Sequence, residues 1–208
     1  MLYSKIPGPF KRNPETNKVM PGVFTTPELE ALYDTPIWSF TEKINGMNMR
    51  AMWDGHEVTI GGRTDSAQIP GDLLGEMRRI FTEEKFEQEF GETPVVVFGE
   101  GYGAGIQKGG HYRDTKGFIG FDVAVGGYYL TKHDGLMVIQ DCFGADVVPL
   151  TYCNSLREMV ENYRGFSLDA YRGAVVPPEG FVGVTTPGLL DKRGHRIIVK
   201  VKGCDFDD

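Results

Sequence analysis

Lys43 lies in Phe40-Thr41-Glu42-Lys43-Ile44-Asn45-Gly46-Met47-Asn48-Met49-Arg50, after the apolar, β-prone residues Ile37, Trp38 and Phe40. A lysine on a sharp turn between two strands can point into a cleft. A glycine three residues on permits close backbone approach or a positive φ. Alone, a Lys-x-x-Gly says little, because most lysines are simply solvated. Three β-rich segments each carry a carboxylate: Glu100 ends 94–100, Asp122 lies inside 118–123, and Glu179 leads 179–184. Glu100 and Glu179 could be plain strand ends at the surface. Asp122, within Phe-Ile-Gly-Phe-Asp-Val, would be buried and must then be paired or hydrogen-bonded. Lys200 and Lys202 share one face of the last strand, because strand side chains alternate. Such a pair also protects an edge strand from aggregation. Arg63 follows a hairpin in Gly61-Gly62-Arg63-Thr64.

The elements that must position these residues are legible as patterns. Residues 1–24 carry Pro7, Pro9, Pro14 and Pro21 and read as irregular. Thr26-Pro27-Glu28 reads as an N-cap, a first-turn proline and an acidic residue, opening a short helix that ends near Asp34. Residues 36–40 read as a strand. Residues 47–53 and 57–62, around Asp54-Gly55, read as a hairpin. Leu73, Leu74, Met77, Ile80, Phe81 and Phe86 recur near helical period and predict one helix over 71–90, with its stripe in the core. Strands are expected at 94–100, 118–123, 179–184 and 196–201. A turn-linked strand pair is expected at 128–131 and 135–138. A helix should start at Asn154 or Ser155 and stop before Gly165. The glycines of 101–105, with Gly109-Gly110, follow a strand but lack the Gly-Lys-Ser/Thr ending of a P-loop and open no helix, which excludes the P-loop and Rossmann readings. There are no repeats, low-complexity segments or obvious linkers.

With 208 residues, 40% hydrophobic and 12% aromatic, the chain suits one core-forming domain. Its 28 glycines and 12 prolines favour turns and short strands over a helical bundle. No apolar run reaches membrane-spanning length, and residues 1–10 lack a signal-peptide layout. Cys142, Cys153 and Cys204 match no zinc spacing and read as reduced thiols of a cytoplasmic protein. The net charge of −7 means that a phosphate backbone is either not a ligand or is met by locally concentrated cations. Concentration is what the sequence offers: Lys192, Arg193, Arg196, Lys200 and Lys202, with His195 among them, fall within eleven positions.

The order of these segments resembles the covalent nucleotidyltransferase superfamily of polynucleotide ligases and capping enzymes, and most nearly the ATP-dependent RNA ligases of the phage T4 RNA ligase 2 type. Glu42-Lys43-Ile44-Asn45-Gly46-Met47-Asn48 matches motif I, the nucleotidyl acceptor. Gly62-Arg63-Thr64 matches the arginine segment, 63 − 43 = 20 positions later. Phe98-Gly99-Glu100 matches motif III, 118–123 motif IIIa, Glu179-Gly180-Phe181-Val182 motif IV and Val199-Lys200-Val201-Lys202 motif V. Six motifs in order over residues 40–202 form a specific pattern. Asn45, where related enzymes carry histidine or aspartate, and Met47, where a small or hydroxyl residue is usual, depart from it. The chain ends six residues after Lys202, so a single minimal adenylyltransferase domain over 1–208 is expected, without the family's OB or helical C-terminal domain.

The resemblance implies an α+β, ATP-grasp-like nucleotidyltransferase domain with antiparallel sheets flanked by helices around a nucleotide cleft. It implies an enzyme that adenylylates itself, passes AMP to a 5′-phosphate, and seals that end to a 3′-hydroxyl. Lys43 would attack the α-phosphorus of ATP, and Lys200 and Lys202 would be its catalytic companions. A free lysine titrates near ~10.4, and neighbouring cations favour its reactive neutral form. Glu42, Asn48, Arg63, Glu100, Phe121 and Glu179 would bind the nucleotide, Phe121 by stacking on adenine. Glu100, Glu179 and Asp122 would hold Mg²⁺ (or Mn²⁺), with Asp122 alternatively orienting a neighbour.

The implied partner is nucleic acid: RNA ends, or the nick of a duplex. No membrane is implied, and the cytoplasm of a host cell is expected if the source is a phage. An accessory protein in place of the missing C-terminal domain, and the oligomeric state, stay open. The alternatives are a DNA ligase, a non-catalytic nucleotide- or RNA-binding module, and, more remotely, GTP-dependent capping.

Overall fold

The computed structural model describes residues 1–107, 112–162 and 179–206. In chain order the elements are β1 (Phe10–Arg12), β2 (Val19–Phe24), α1 (Pro27–Ala31), β3 (Trp38–Glu42), β4 (Met47–Trp53), β5 (Val58–Gly62), α2 (Gly71–Ile80), α3 (Glu83–Phe90), β6 (Val95–Tyr102), β7 (Gly117–Val125), β8 (Tyr128–Tyr129), α4 (Lys132–Phe143), β9 (Asp146–Val147), β10 (Leu150–Tyr152), α5 (Leu156–Asn162), β11 (Gly180–Thr185) and β12 (Ile198–Lys202). They make an α+β fold with mostly antiparallel sheets. The chain divides into two compact units, each assembled from separated stretches. One unit is residues 1–4 and 44–148; the other is residues 5–43 and 149–208.

The first unit is built on a sheet of order β5-β4-β6-β7-β8, with β9 added parallel to β7. The alternation of β4 sends Met49, Ala51 and Trp53 to one face. There they join Val95 and Val97 of β6, the helical residues Leu73, Met77, Ile80 and Phe86, and Ile139 and Phe143 of α4 in one core. The Asp54-Gly55 hairpin forms as expected. The Asp54 carboxylate accepts from the backbone N–H groups of His56 and Glu57, both at 2.9 Å, closing the turn.

In the second unit the sheet order is β10-β3-β11-β12, and β1 pairs with β2 beside it. Trp38, Phe40, Phe181, Val199 and Val201 fill its core, with Phe10, Leu29, Tyr33, Leu156 and Met159. Thr26 caps α1 by accepting from the Leu29 N–H, as its position before Pro27 predicts. Ser155 caps α5 by accepting from the Glu158 N–H. The expected stop before Gly165 lies outside the described residues, as do Gly109 and Gly110.

Three expectations fail, each for a local reason. Residues 1–24 are not irregular throughout: Phe10 and Phe24 are register partners in the β1–β2 ribbon, and their rings pack 5.1 Å apart. The apolar stripe of 71–90 belongs to two helices, because Thr82 caps a new helix at Glu83. Residues 128–138 do not form a strand pair; 132–143 is a helix. Thr131 accepts from the Asp134 N–H at 3.2 Å, and Gly144 ends the helix at φ +66°. The spacing of Leu136, Ile139 and Phe143 is helical. Among the described residues no helix is long and apolar enough to cross a membrane.

Two substitutions test this account of the helices by thermal or urea unfolding. Thr131→Ala should cost about 1 kcal/mol through loss of the α4 cap. Gly75→Ala should add about 0.5–1 kcal/mol, since a Cβ at that mid-helix position meets nothing within 4 Å. A neutral result for either would remove the helix-propensity explanation.

Candidate functional site

In the second unit, register decides which side chains meet. Thr41, Val182 and Lys200 are successive partners across β3, β11 and β12; Glu42, Phe181 and Val201 are the next row. Rows alternate faces. The ladder continues one step, with the Lys43 N–H donating to Gly180 O at 2.9 Å, and Gly180 is the partner of Lys202. Lys43, Lys200 and Lys202 therefore share the face opposite Phe181 and Val201. Strand parity and the β3–β11–β12 register together gather them.

Two of them converge on one carboxylate. Lys43 Nζ is 2.6 Å from Glu179 Oε2, and Lys202 Nζ is 3.2 Å from Glu179 Oε1. All three side chains are partly exposed. Glu179 is held at the mouth of β11 by its own carbonyl, which accepts from the Gly203 N–H. Lys200 is half-buried and makes no ion pair among the described residues. Burial, then the neighbouring charges of Lys202, Lys43 and Lys5, hold its pKa below the usual lysine value. Three ammonium groups on one face, two of them sharing a single carboxylate, suit an anion.

Glu42 belongs to the other row. It faces the side of Phe181 and Val201, both fully buried, and is itself 8% exposed. Loss of water raises its carboxyl to about 7. Glu42 is thus a buried acid that can be neutral near physiological pH, immediately before the candidate nucleophile.

The first unit positions the remaining candidates. Gly46 explains the fourth residue of Lys-x-x-Gly: a Cβ there would lie 2.3 Å from Gly101 O and 2.7 Å from Glu100 Cγ. Any larger residue would push away the strand that carries Glu100. Asn48 and Glu100 are direct partners in the β4–β6 ladder. Asn48 Oδ1 is buried without a hydrogen-bond partner among the described residues, which makes it an acceptor in want of a donor. Arg63 is exposed just beyond β5. The buried Arg50 fixes the start of its loop, donating from Nε to Gly62 O at 2.7 Å and from Nη2 to Asp65 at 2.8 Å.

Phe121 occupies a β-bulge. Phe98 pairs with Asp122 while Gly99 pairs with Gly120, so Phe121 is the extra residue. It is half-buried, with the Tyr3 ring edge-on at 5.1 Å. Asp122, expected among metal ligands, is instead fully buried and engaged. It accepts from the Tyr3 hydroxyl at 2.7 Å and faces Lys132 Nζ at 3.2 Å. Lys132 also donates to the Phe121 carbonyl at 2.8 Å. Among the described residues no group of three or more His, Cys, Asp or Glu side chains gathers to hold a metal ion. Sequence reasoning did not single out Tyr3, Lys132 or Arg50. Tyr3 lies in the segment expected to be irregular, and Lys132 in the turn expected to link strands 128–131 and 135–138. The parity of β4, which puts Arg50 on the Asn48 face, was the available clue for the third. The thiols of Cys142 and Cys153 are pushed up by burial, Cys153 to about 11, which leaves them unreactive.

No family model matches the sequence, and no curated protein matches it. Solved structures do share the fold. An RNA ligase variant of Naegleria gruberi without ligand superposes with TM-score 0.65 at 18% identity, over 86% of this chain and 53% of that one. Variants of an RNA ligase from the same organism, one with ATP and manganese and one with AMP and manganese, superpose with TM-scores of 0.66 and 0.65 at 16% and 17% identity, over 86% of this chain. This chain spans about half the length of those proteins, 52% and 53%.

The Glu42 environment predicts a pH signature. Its folded-state pKa of about 7 exceeds the ordinary 4.5, so the fold favours the protonated form. That contribution is complete below pH 4.5 and is lost as pH rises through 7. Glu42→Gln should match wild type in unfolding free energy at acid pH and exceed it by roughly 1–3 kcal/mol above neutrality. Equal stability at both ends would show that Glu42 is solvated.

Proposed function

We propose that the chain is an ATP-dependent RNA ligase whose residues 1–208 act as one adenylyltransferase module. The observation that carries the proposal is the lysine face: Lys43 and Lys202 in one ladder row and paired with Glu179, and Lys200 two rows away on the same face. The shared fold supports it, because the neighbours are RNA ligases in structures with ATP, AMP and manganese.

In the first step Lys43 Nζ attacks the α-phosphorus of ATP. A P–N bond forms, the bond to the β-phosphate oxygen breaks, and pyrophosphate leaves with the bonding pair. The amine must lose a proton, and Glu179 Oε2, at 2.6 Å, is within reach of it. Lys200 and Lys202 supply positive charge where phosphate charge develops. Glu42, neutral near pH 7, can donate or accept at an adenine edge, and Asn48 Oδ1 can accept from a nucleotide hydroxyl. Phe121 stacks on the base, and Arg63 contacts sugar or phosphate. The AMP then passes to a 5′-phosphate, and a 3′-hydroxyl displaces it.

A divalent cation, Mg²⁺ or Mn²⁺, when bound neutralises phosphate charge and takes oxygen ligands. Glu100 and Glu179 would supply carboxylate oxygens to it. Asp122, already paired with Lys132 and Tyr3, is better read as holding the Phe121 segment in place.

A nicked duplex with an RNA strand and its DNA counterpart test substrate and mechanism together. Wild type should seal the RNA nick faster. Lys43→Ala should fall below detection with ATP, yet retain sealing of a strand that already carries a 5′-adenylate, because its first step is done. Equal sealing of both nicks would favour a DNA or general ligase. Unimpaired ATP-dependent sealing by Lys43→Ala would refute the mechanism.

A further inference from the structure

The basic residues concentrated near the C-terminal end of the sequence are not all used by the lysine face. Lys192 and Arg193 stand on the loop between β11 and β12, and both are exposed. Neither makes an ion pair among the described residues. The loop is a built turn. Leu190 and Arg196 bridge its base, and the Ile197 N–H donates to Leu189 O at 2.9 Å. The Asp191 N–H donates to His195 O at 2.7 Å, and the Gly194 N–H to Asp191 O at 2.9 Å, with Gly194 at φ +81°. The acid of the loop, Asp191, is spent on the turn itself. Asp191 Oδ1 accepts from the N–H groups of Arg193 and His195 at 2.8 and 2.9 Å, and Oδ2 lies 3.3 Å from His195 Nδ1. Those bonds, the His195 N–H first, hold the Asp191 carboxyl below its ordinary range. The tip therefore presents two cations that make no ion pair among the described residues, on a chain whose net charge is −7. Leu190, 61% exposed, lies beside them.

Distance separates this tip from the lysine face. At ~3.3 Å per residue, the six residues from Lys202 back to Arg196 span roughly 20 Å. That exceeds the Debye length of about 8 Å at physiological salt, so charge at the tip has little influence on a nucleotide beside Lys43. It can act only on a ligand long enough to reach both places. A polynucleotide is such a ligand, and its phosphates complement the tip's charge.

We propose that the β11–β12 loop is a docking point for the phosphodiester backbone of the polynucleotide substrate, with Lys192 and Arg193 as the contacting residues. This rests on the ligase reading for its place in the reaction, though the contact itself is read by binding alone. It positions the strand and carries no sequence preference.

The test compares wild type with Lys192→Ala/Arg193→Ala and the charge-reversed Lys192→Glu/Arg193→Glu, after confirming unchanged melting temperatures. Fluorescent nicked RNA duplex, single-stranded RNA and DNA of the same sequence are titrated over a range of salt. The alanine pair should weaken binding of each and flatten the slope of log affinity against log salt by about 1.5, two phosphate contacts at about 0.7–0.9 each. The glutamate pair should weaken it further, and lysyl-adduct formation from ATP should stay at the wild-type rate in both. Unchanged affinity and slope would overturn the proposal and leave a protein ligand as the use of the patch. A matching loss of adduct formation would also overturn it, since the tip would then act on the nucleotide site. Failure of the wild type to form any adduct would refute the ligase reading while leaving the binding result intact.

Discussion

The shared Glu179 carboxylate is the interaction on which the candidate chemistry depends. It holds Lys43 and Lys202 at once, and strand parity delivers both to the same face. A one-residue slip of β12 against β11 would send Lys200 and Lys202 into the core and Val199 and Val201 to the surface. The fully buried Phe181, Val199 and Val201 oppose that slip. The apolar packing of the sheet thus fixes the positions of its charges. The same parity buries Glu42 one residue before Lys43, so adjacent residues acquire opposite environments.

The first unit solves a different problem: it keeps charge inside a sheet. Arg50 and Lys132 are buried cations, each satisfied by carbonyls as well as carboxylates. Breaking either set would leave an uncompensated buried charge, which is strongly unfavourable. The reward is rigidity at two places, the loop start before Arg63 and the bulge at Phe121. Gly46 adds a third constraint by admitting the β6 backbone at Glu100.

The sequence made the strands around the candidate residues legible because each is a short run of β-branched or aromatic residues ending in a charge. The lysine face was readable in part: alternation paired Lys200 with Lys202, but only the β3–β11–β12 register could add Lys43. Asp122 was correctly expected to need a partner, yet Lys132 could not be named. A helix N-terminus was hidden under Tyr128 and Tyr129, whose β propensity suggested more strand. Thr82 was lost inside an apolar stripe that two helices share. The exposed tip of Lys192 and Arg193 was visible as composition and became a surface only through the Asp191 turn.

Incubating the protein with a divalent cation and ATP, then measuring intact mass and mapping the modified peptide, tests the central claim most directly. A mass gain equal to AMP, located on Lys43, is the predicted result. A protein that binds ATP but gains no mass, or carries AMP on another residue, would contradict the assignment of the Glu179-paired lysine as nucleophile.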